Sequence, residues 1–170
     1  MTELASPGQL RAAFLRWVLF IVPGILFLAF FSSKLGGSGA GNPWFMDLVK
    51  PTINPPPATF GIVWPILYLV MGIALTLVVT ARGAPGRGIA IGLFALQLLF
   101  NLAWSPLFFG LHQIAAALAL LVAIDLALAA TILAFYKVRP IAAWLLLPYL
   151  AWVLFATVLN WQFLVANPGA

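Results

Sequence analysis

The stretch Gln113–Phe135, QIAAALALLVAIDLALAATILAF, contains a single charged residue, Asp125. At about 1.5 Å per residue, a helix of this length crosses a hydrocarbon layer of about 30 Å. The run Ile114–Ile124 does not alternate apolar with polar residues, so it cannot be a strand of a membrane barrel. In lipid, backbone groups must bond within their own segment, which leaves the helix. Four further stretches read the same way: Ala12–Phe31, Phe60–Thr80, Gly88–Phe109 and Ile141–Val165. The chain is therefore expected to be all-α, a five-transmembrane-helix bundle forming one domain over residues 1–170.

Composition supports this. The 170 residues are 65% hydrophobic and 6% charged, with a mean hydropathy of +1.14. Soluble domains carry about 25% charged residues. Eight Lys+Arg and three Asp+Glu cannot coat a water-soluble particle of this size. Soluble enzymes and disordered chains are thereby excluded. There is no cysteine, and the single histidine is His112, so no thiolate chemistry and no metal centre are expected. The formal charge of +5 is too dispersed for a nucleic-acid surface and points to topology and lipid headgroups.

The cations set an orientation. Arg11, Arg16, Arg82, Arg87, Lys137 and Arg139 fall on one side of the membrane, and Lys34 and Lys50 on the other. The positive-inside rule predicts a cytoplasmic N-terminus. The first span is expected to be a mature helix, since no small-residue cleavage site follows it. The connections Ala81–Arg87, Gly110–His112 and Lys137–Pro140 are short. The connection 32–59 is long, rich in Gly, Pro and Asn, and contains Trp44 and Phe45. A long ordered loop is often functional, although these aromatics would equally suit a lid resting on headgroups.

Small residues are the expected packing surfaces, because lipid is as apolar as leucine. Ala115, Ala119, Ala123, Ala127 and Thr131 recur four apart on the fourth span, and Gly88 and Gly92 open the third. Both sets suit close approach, either inside the bundle or across a homodimer.

Three spans carry polar and aromatic stripes at helical spacing. The third presents Gln97, Asn101 and Ser105, with Trp104 beside them. The fifth presents Pro148, Trp152, Ala156 and Asn160, with Tyr149 alongside. The second presents Phe60, Trp64, Tyr68 and Gly72. Amides in hydrocarbon need partners and should point inward. Two readings follow: interhelical hydrogen bonds that set registry, or a pocket for a large planar ligand. Asp125 is the acid deepest in a span, and a hydrogen bond suits it better than a proton relay built from one carboxyl. Prolines 23, 65, 106 and 148 can bend their helices. No catalytic set, nucleotide motif or inverted repeat is present.

Four blocks carry a more specific likeness: Lys50-Pro51 with Asn54-Pro55-Pro56; Trp64-Pro65 with Leu67-Tyr68 and Met71-Gly72; Gln97 and Asn101 with Ala103-Trp104-Ser105-Pro106 and Phe108-Phe109-Gly110; and Leu147-Pro148-Tyr149-Leu150-Ala151-Trp152 running to Phe155-Ala156-Thr157 and Leu159-Asn160. In order and spacing the chain resembles the TspO/MBR family of tryptophan-rich sensory proteins, whose animal members are the translocator protein or peripheral benzodiazepine receptor. The resemblance implies a five-helix bundle, usually a homodimer, with the first loop folded over a pocket. It implies a membrane receptor or carrier for porphyrins such as protoporphyrin IX and haem, as ligands and not as obligatory cofactors. Transport, stress sensing and light-dependent porphyrin degradation are activities ascribed to family members. The implied ligand residues are Trp64, Tyr68, Asn101, Trp104, Trp152 and Ala156, to which the stripes add Tyr149 and Asn160. Pro55 and Pro56 would shape the lid, together with Asn54 and Trp44. A bacterial cell membrane is the expected location.

Two departures narrow the reading. Ile53 and Ala58 stand where many relatives carry lid tryptophans, so the resemblance implies binding more strongly than turnover, with Trp152 the remaining indole candidate. The animal cholesterol motif requires Tyr and then a cation after Leu159-Asn160. Here Trp161 follows, and no cation comes before Ala170.

Overall fold

The computed structural model describes residues 6–39 and 41–169. Its elements are α1 (Pro7–Gly36), α2 (Pro43–Asp47), α3 (Pro57–Val79), α4 (Arg87–Ser105) with a π-helical turn (Pro106–Gly110), α5 (Ile114–Val138) and α6 (Pro140–Ala166). Among the described residues, five helices are long and apolar enough to cross a membrane: α1, α3, α4 with its π-turn, α5 and α6. The protein is an all-helical, multi-pass integral membrane bundle.

The first span is longer than its apolar run. Helix α1 covers 30 residues, not 12–31, because local chemistry starts and stops it beyond the apolar run. Ser6 accepts a hydrogen bond from the Gln9 amide, the Gln9 side chain accepts from the Ser6 amide, and Pro7 occupies the first turn. Gly37 ends the helix at φ 62°. The first connection shrinks accordingly, from 32–59 to 37–56, and α2 interrupts it. Asn42 caps α2 through its side-chain oxygen on the Phe45 amide at 2.9 Å.

The helices form a circuit in which α1 meets α3, α3 meets α6, α6 meets α5, α5 meets α4, and α4 returns to α1. The core comes from the inward faces of α3, α4, α5 and α6: Met71, Ala74, Val78, Phe94, Leu121, Ile124, Leu128, Leu146, Tyr149 and Val153 are all buried. Phe94 and Phe135 stack at 5.8 Å between α4 and α5. Leu19, Phe20, Ile89, Leu126, Leu133 and Trp144 are exposed, as lipid-facing residues should be.

The π-turn follows from Pro106. Proline has no N–H, so the Leu102 carbonyl loses its helical partner. The Ser32 hydroxyl of α1 donates to that carbonyl instead. The Leu111 amide reaches back five residues to the Pro106 carbonyl at 2.9 Å. A membrane helix tolerates proline when a neighbour satisfies the freed group, and Ser32 does so here.

The expected small-residue surfaces are corrected by the packing. Gly88 and Gly92 are exposed, and a Cβ on either would meet nothing within 4 Å, so they make no close contact inside the bundle. The close approaches are at Gly36 and Gly72. A Cβ on Gly36 would lie 2.6 Å from the Ser105 carbonyl oxygen, and one on Gly72 would lie 2.7 Å from Val22 Cγ2. The alanine stripe is likewise not one inner face. Ala115 and Ala119 are exposed, Ala123 and Ala127 are half-buried, and Thr131 is buried. A step of four residues overshoots one turn by about 40°, so the stripe winds from the outside of α5 to its core face. The residues that pack inward are Ile114, Ala117, Leu121, Ile124, Leu128, Thr131 and Phe135.

Candidate functional site

Asn101 is the centre of a buried polar relay between α3, α4 and α6. The Tyr68 hydroxyl donates to Asn101 Oδ1 at 2.7 Å. Asn101 Nδ2 donates to the Tyr149 hydroxyl at 2.9 Å, and that hydroxyl donates to Gln97 Oε1 at 3.0 Å. One side chain follows another around the junction of three helices, so the relay sets their registry. It ends in a donor: the buried Gln97 Nε2 has no partner among the described residues.

An aromatic cluster lies against the relay. Trp64 stacks on Tyr68 at 5.4 Å and meets Trp152 edge to face at 6.4 Å and Tyr149 at 6.5 Å. Phe60 and Phe155 flank Trp152 at 5.9 and 5.4 Å. Trp64, Tyr68 and Trp152 are half-buried, whereas Tyr149 is fully enclosed. The buried indole Nε1 of Trp152 has no hydrogen-bond partner among the described residues. Ala156, one turn along α6 from Trp152, packs against the same hydrophobic core as Trp64, Tyr68 and Trp152. The arrangement offers flat π faces and two unpaired N–H donors.

Trp104 and Asn160 form a second, separate junction. Trp104 Nε1 donates to Asn160 Oδ1 at 3.2 Å, and Asn160 Nδ2 donates to the Ile114 carbonyl at 3.0 Å. Trp104 also stacks on Phe108 at 5.0 Å, so it bridges the main cluster and a satellite core of Phe108, Ile114, Leu159 and Phe163.

The lid residues divide. Trp44 does not meet Trp64 or Trp152; it stacks on His112 at 4.4 Å and meets Phe108 edge-on at 5.5 Å. Asn54, Pro55 and Pro56 lead into α3, with Pro56 at its N-cap and the Asn54 amide donating to the Pro51 carbonyl.

The first connection is held by Lys50, which the motif blocks contain, and by Asn167, which they do not. Asn167 brackets Val49 by accepting from its amide at 2.8 Å and donating to its carbonyl at 3.1 Å. The Lys50 ammonium donates to the carbonyls of Phe45, Met46 and Leu48 and sits 4.5 Å over the Phe45 ring. The partners of Lys50 lie two to five residues back along the chain, whereas Asn167 is 118 residues from Val49, too far in sequence to be read.

Asp125 is not part of the relay. Its Oδ2 accepts from Thr157 Oγ1 at 2.8 Å, and the same hydroxyl lies 3.0 Å from the Val153 carbonyl. The pair ties α5 to α6. No group of three or more metal-ligating side chains occurs among the described residues.

The TspO/MBR family model matches residues 17–166, which include four of the spans in full, the first from Trp17 onward, and the aromatic cluster. The chain belongs to the TspO/MBR family. Among curated TspO/MBR relatives, it is 43% identical to the human translocator protein over 125 residues, covering 72% of this chain and 74% of that protein. It is 41% identical to the tryptophan-rich protein TspO of Chlorobaculum tepidum over 126 residues, covering 74% and 80%. It is 39% identical to the tryptophan-rich sensory protein of Cereibacter sphaeroides over 124 residues, covering 73% and 77%. The relay, the Trp64–Trp152 cluster and the lid all lie within the part matched by the TspO/MBR model.

Proposed function

We propose that this TspO/MBR chain is a membrane receptor or carrier that binds porphyrins, protoporphyrin IX and haem among them, against the Trp64–Tyr68–Trp152 cluster. The observation that carries the reading is the Trp152 indole, whose N–H is buried without a partner while its ring stands edge-on to Trp64. A porphyrin supplies what this arrangement lacks: a wide π face for stacking and carboxylates that accept N–H bonds. The second unpaired donor, Gln97 Nε2, lies at the end of the relay beneath. The names of the relatives, a translocator protein and a tryptophan-rich sensory protein, agree with a role in moving or sensing a ligand.

The reading includes a homodimer, with the open Gly88 and Gly92 surface of α4 as the contact. It also includes a cytoplasmic N-terminus, from the cation count, in a bacterial cell membrane.

The test is a titration of the purified protein in detergent with protoporphyrin IX, followed by tryptophan quenching and porphyrin absorbance in the dark and then in light. Saturable binding with stable absorbance is the expected result. Light-dependent loss of absorbance that disappears in Trp152→Phe would instead make the protein an enzyme. Absence of saturable binding would overturn the porphyrin reading and favour a scaffold whose relay only sets helix registry.

A further inference from the structure

A second site lies at the opposite end of α3 from the lid. The N-terminal part of α1, the C-terminal end of α3 and the start of α6 line an open groove of about 440 Å³. Phe14, Leu15 and Leu77 supply apolar walls, Thr80 sits at the end of α3, and Arg11 and Arg139 flank the groove. This end of the bundle also carries Arg16, Arg82, Arg87 and Lys137. Some of these cations are already engaged. The Arg87 guanidinium donates twice to the Val79 carbonyl, at 3.0 and 2.7 Å, and Arg16 donates to the Ala12 carbonyl. Arg11 and Arg139 have no such partner among the described residues. Of the acids, Asp47 is in α2 at the other face of the bundle, Asp125 is in the middle of α5, and Glu3 lies outside the described residues.

We propose that this groove binds one anionic glycerophospholipid, with its phosphate between Arg11 and Arg139 and an acyl chain against Phe14, Leu15 and Leu77. The two halves of the groove make complementary demands. A guanidinium pair with no carboxylate beside it among the described residues selects an anion, and its planar donors suit phosphate oxygens. The apolar walls select a hydrocarbon chain that a soluble phosphate lacks. The groove opens where helix ends meet the headgroup layer, so a phospholipid reaches both halves without leaving the bilayer. Because it grips α1, α3 and α6 together, the lipid would join the peripheral α1 to the helices that carry the aromatic cluster.

The experiment is native mass spectrometry of the full-length protein in detergent, with equimolar phosphatidylglycerol and phosphatidylcholine of identical acyl chains. The expected result is a preference for phosphatidylglycerol of about fivefold or more. The preference should vanish in R11Q/R139Q and persist in R82Q, whose cation lies on the same membrane face outside the groove. Thermal melting of each variant in the same detergent verifies the fold. Equal binding of the two lipids by the unaltered protein would overturn the proposal. So would a preference that survives R11Q/R139Q, or that falls equally in R82Q, which would mean a diffuse surface charge. Displacement of the bound lipid by millimolar glycerol phosphate would likewise overturn it, in favour of a plain anion site.

Discussion

Asn101 Nδ2 donates to the Tyr149 hydroxyl across 2.9 Å, and this bond joins α4 to α6 inside the membrane. Both side chains serve twice, since Asn101 also accepts from Tyr68 and Tyr149 also donates to Gln97. Gln97, Asn101, Tyr68 and Tyr149 are therefore committed to one another, so the atoms proposed to lie beneath a ligand also set helix registry. Interhelical hydrogen bonds in membranes are worth about 0.6 kcal/mol on average and up to about 1.7 kcal/mol. Asn101→Leu removes two of them, leaving the Tyr68 hydroxyl without a partner among the described residues and Tyr149 with its bond to Gln97 alone. We expect a loss of about 1–2 kcal/mol in unfolding measured in detergent, and porphyrin affinity weaker by about threefold or more. Trp104→Ala, which opens the junction to Asn160, should weaken affinity similarly. Unchanged quenching titrations in both folded variants would remove these residues from the binding reading.

The glycines should separate by the space around them rather than by their spacing in sequence. Gly72→Val drives a side chain into Val22, and Gly36→Ala drives one into the Ser105 carbonyl. Overpacking of this kind costs about 1–3 kcal/mol. Gly92→Leu enters open space and should leave the melting temperature of the monomer unchanged while lowering the dimer fraction in sedimentation. A monomer destabilised by Gly92→Leu would contradict the packing described above.

Trp152 offers a chemical test of its unpaired N–H. Trp152→Phe keeps an aromatic face but removes the donor. A hydrogen bond to a charged acceptor is worth about 1.5–3 kcal/mol. The Kd for protoporphyrin IX should therefore rise about tenfold or more, while the Kd for its dimethyl ester, which has no free carboxylate, should change little. An equal rise for both ligands would show that the indole acts through packing alone.

The lid should loosen when its distant tie is cut. Asn167→Ala removes both bonds to Val49, and Lys50→Met removes the ammonium that gathers three carbonyls at the end of α2. A five-residue helix has little stability of its own. Hydrogen exchange at residues 43–50 should accelerate by about tenfold or more in either variant, with the five long helices unaffected. Protection equal to that of the unaltered protein would mean that Trp44, stacked on His112, holds the lid alone.

How much of this was legible in the residues differs from element to element. The run Gln113–Phe135 was sufficient to call for a membrane helix, because hydrocarbon leaves the backbone no other partner. Five such runs make a five-helix bundle, and the spacing of Gln97, Asn101, Trp64, Tyr68 and Trp152 marks the faces that meet. These are local or periodic properties, which a chain carries before it folds. The bonds of Ser32 to Leu102 and of Asn167 to Val49 span 70 and 118 positions, and no periodicity reports contacts at such separations. Tertiary structure also decided which small residues matter. Gly36 and Gly72 lie where helices cross and Gly88 and Gly92 do not, because a crossing point depends on the rotation of both helices and not on the spacing within one.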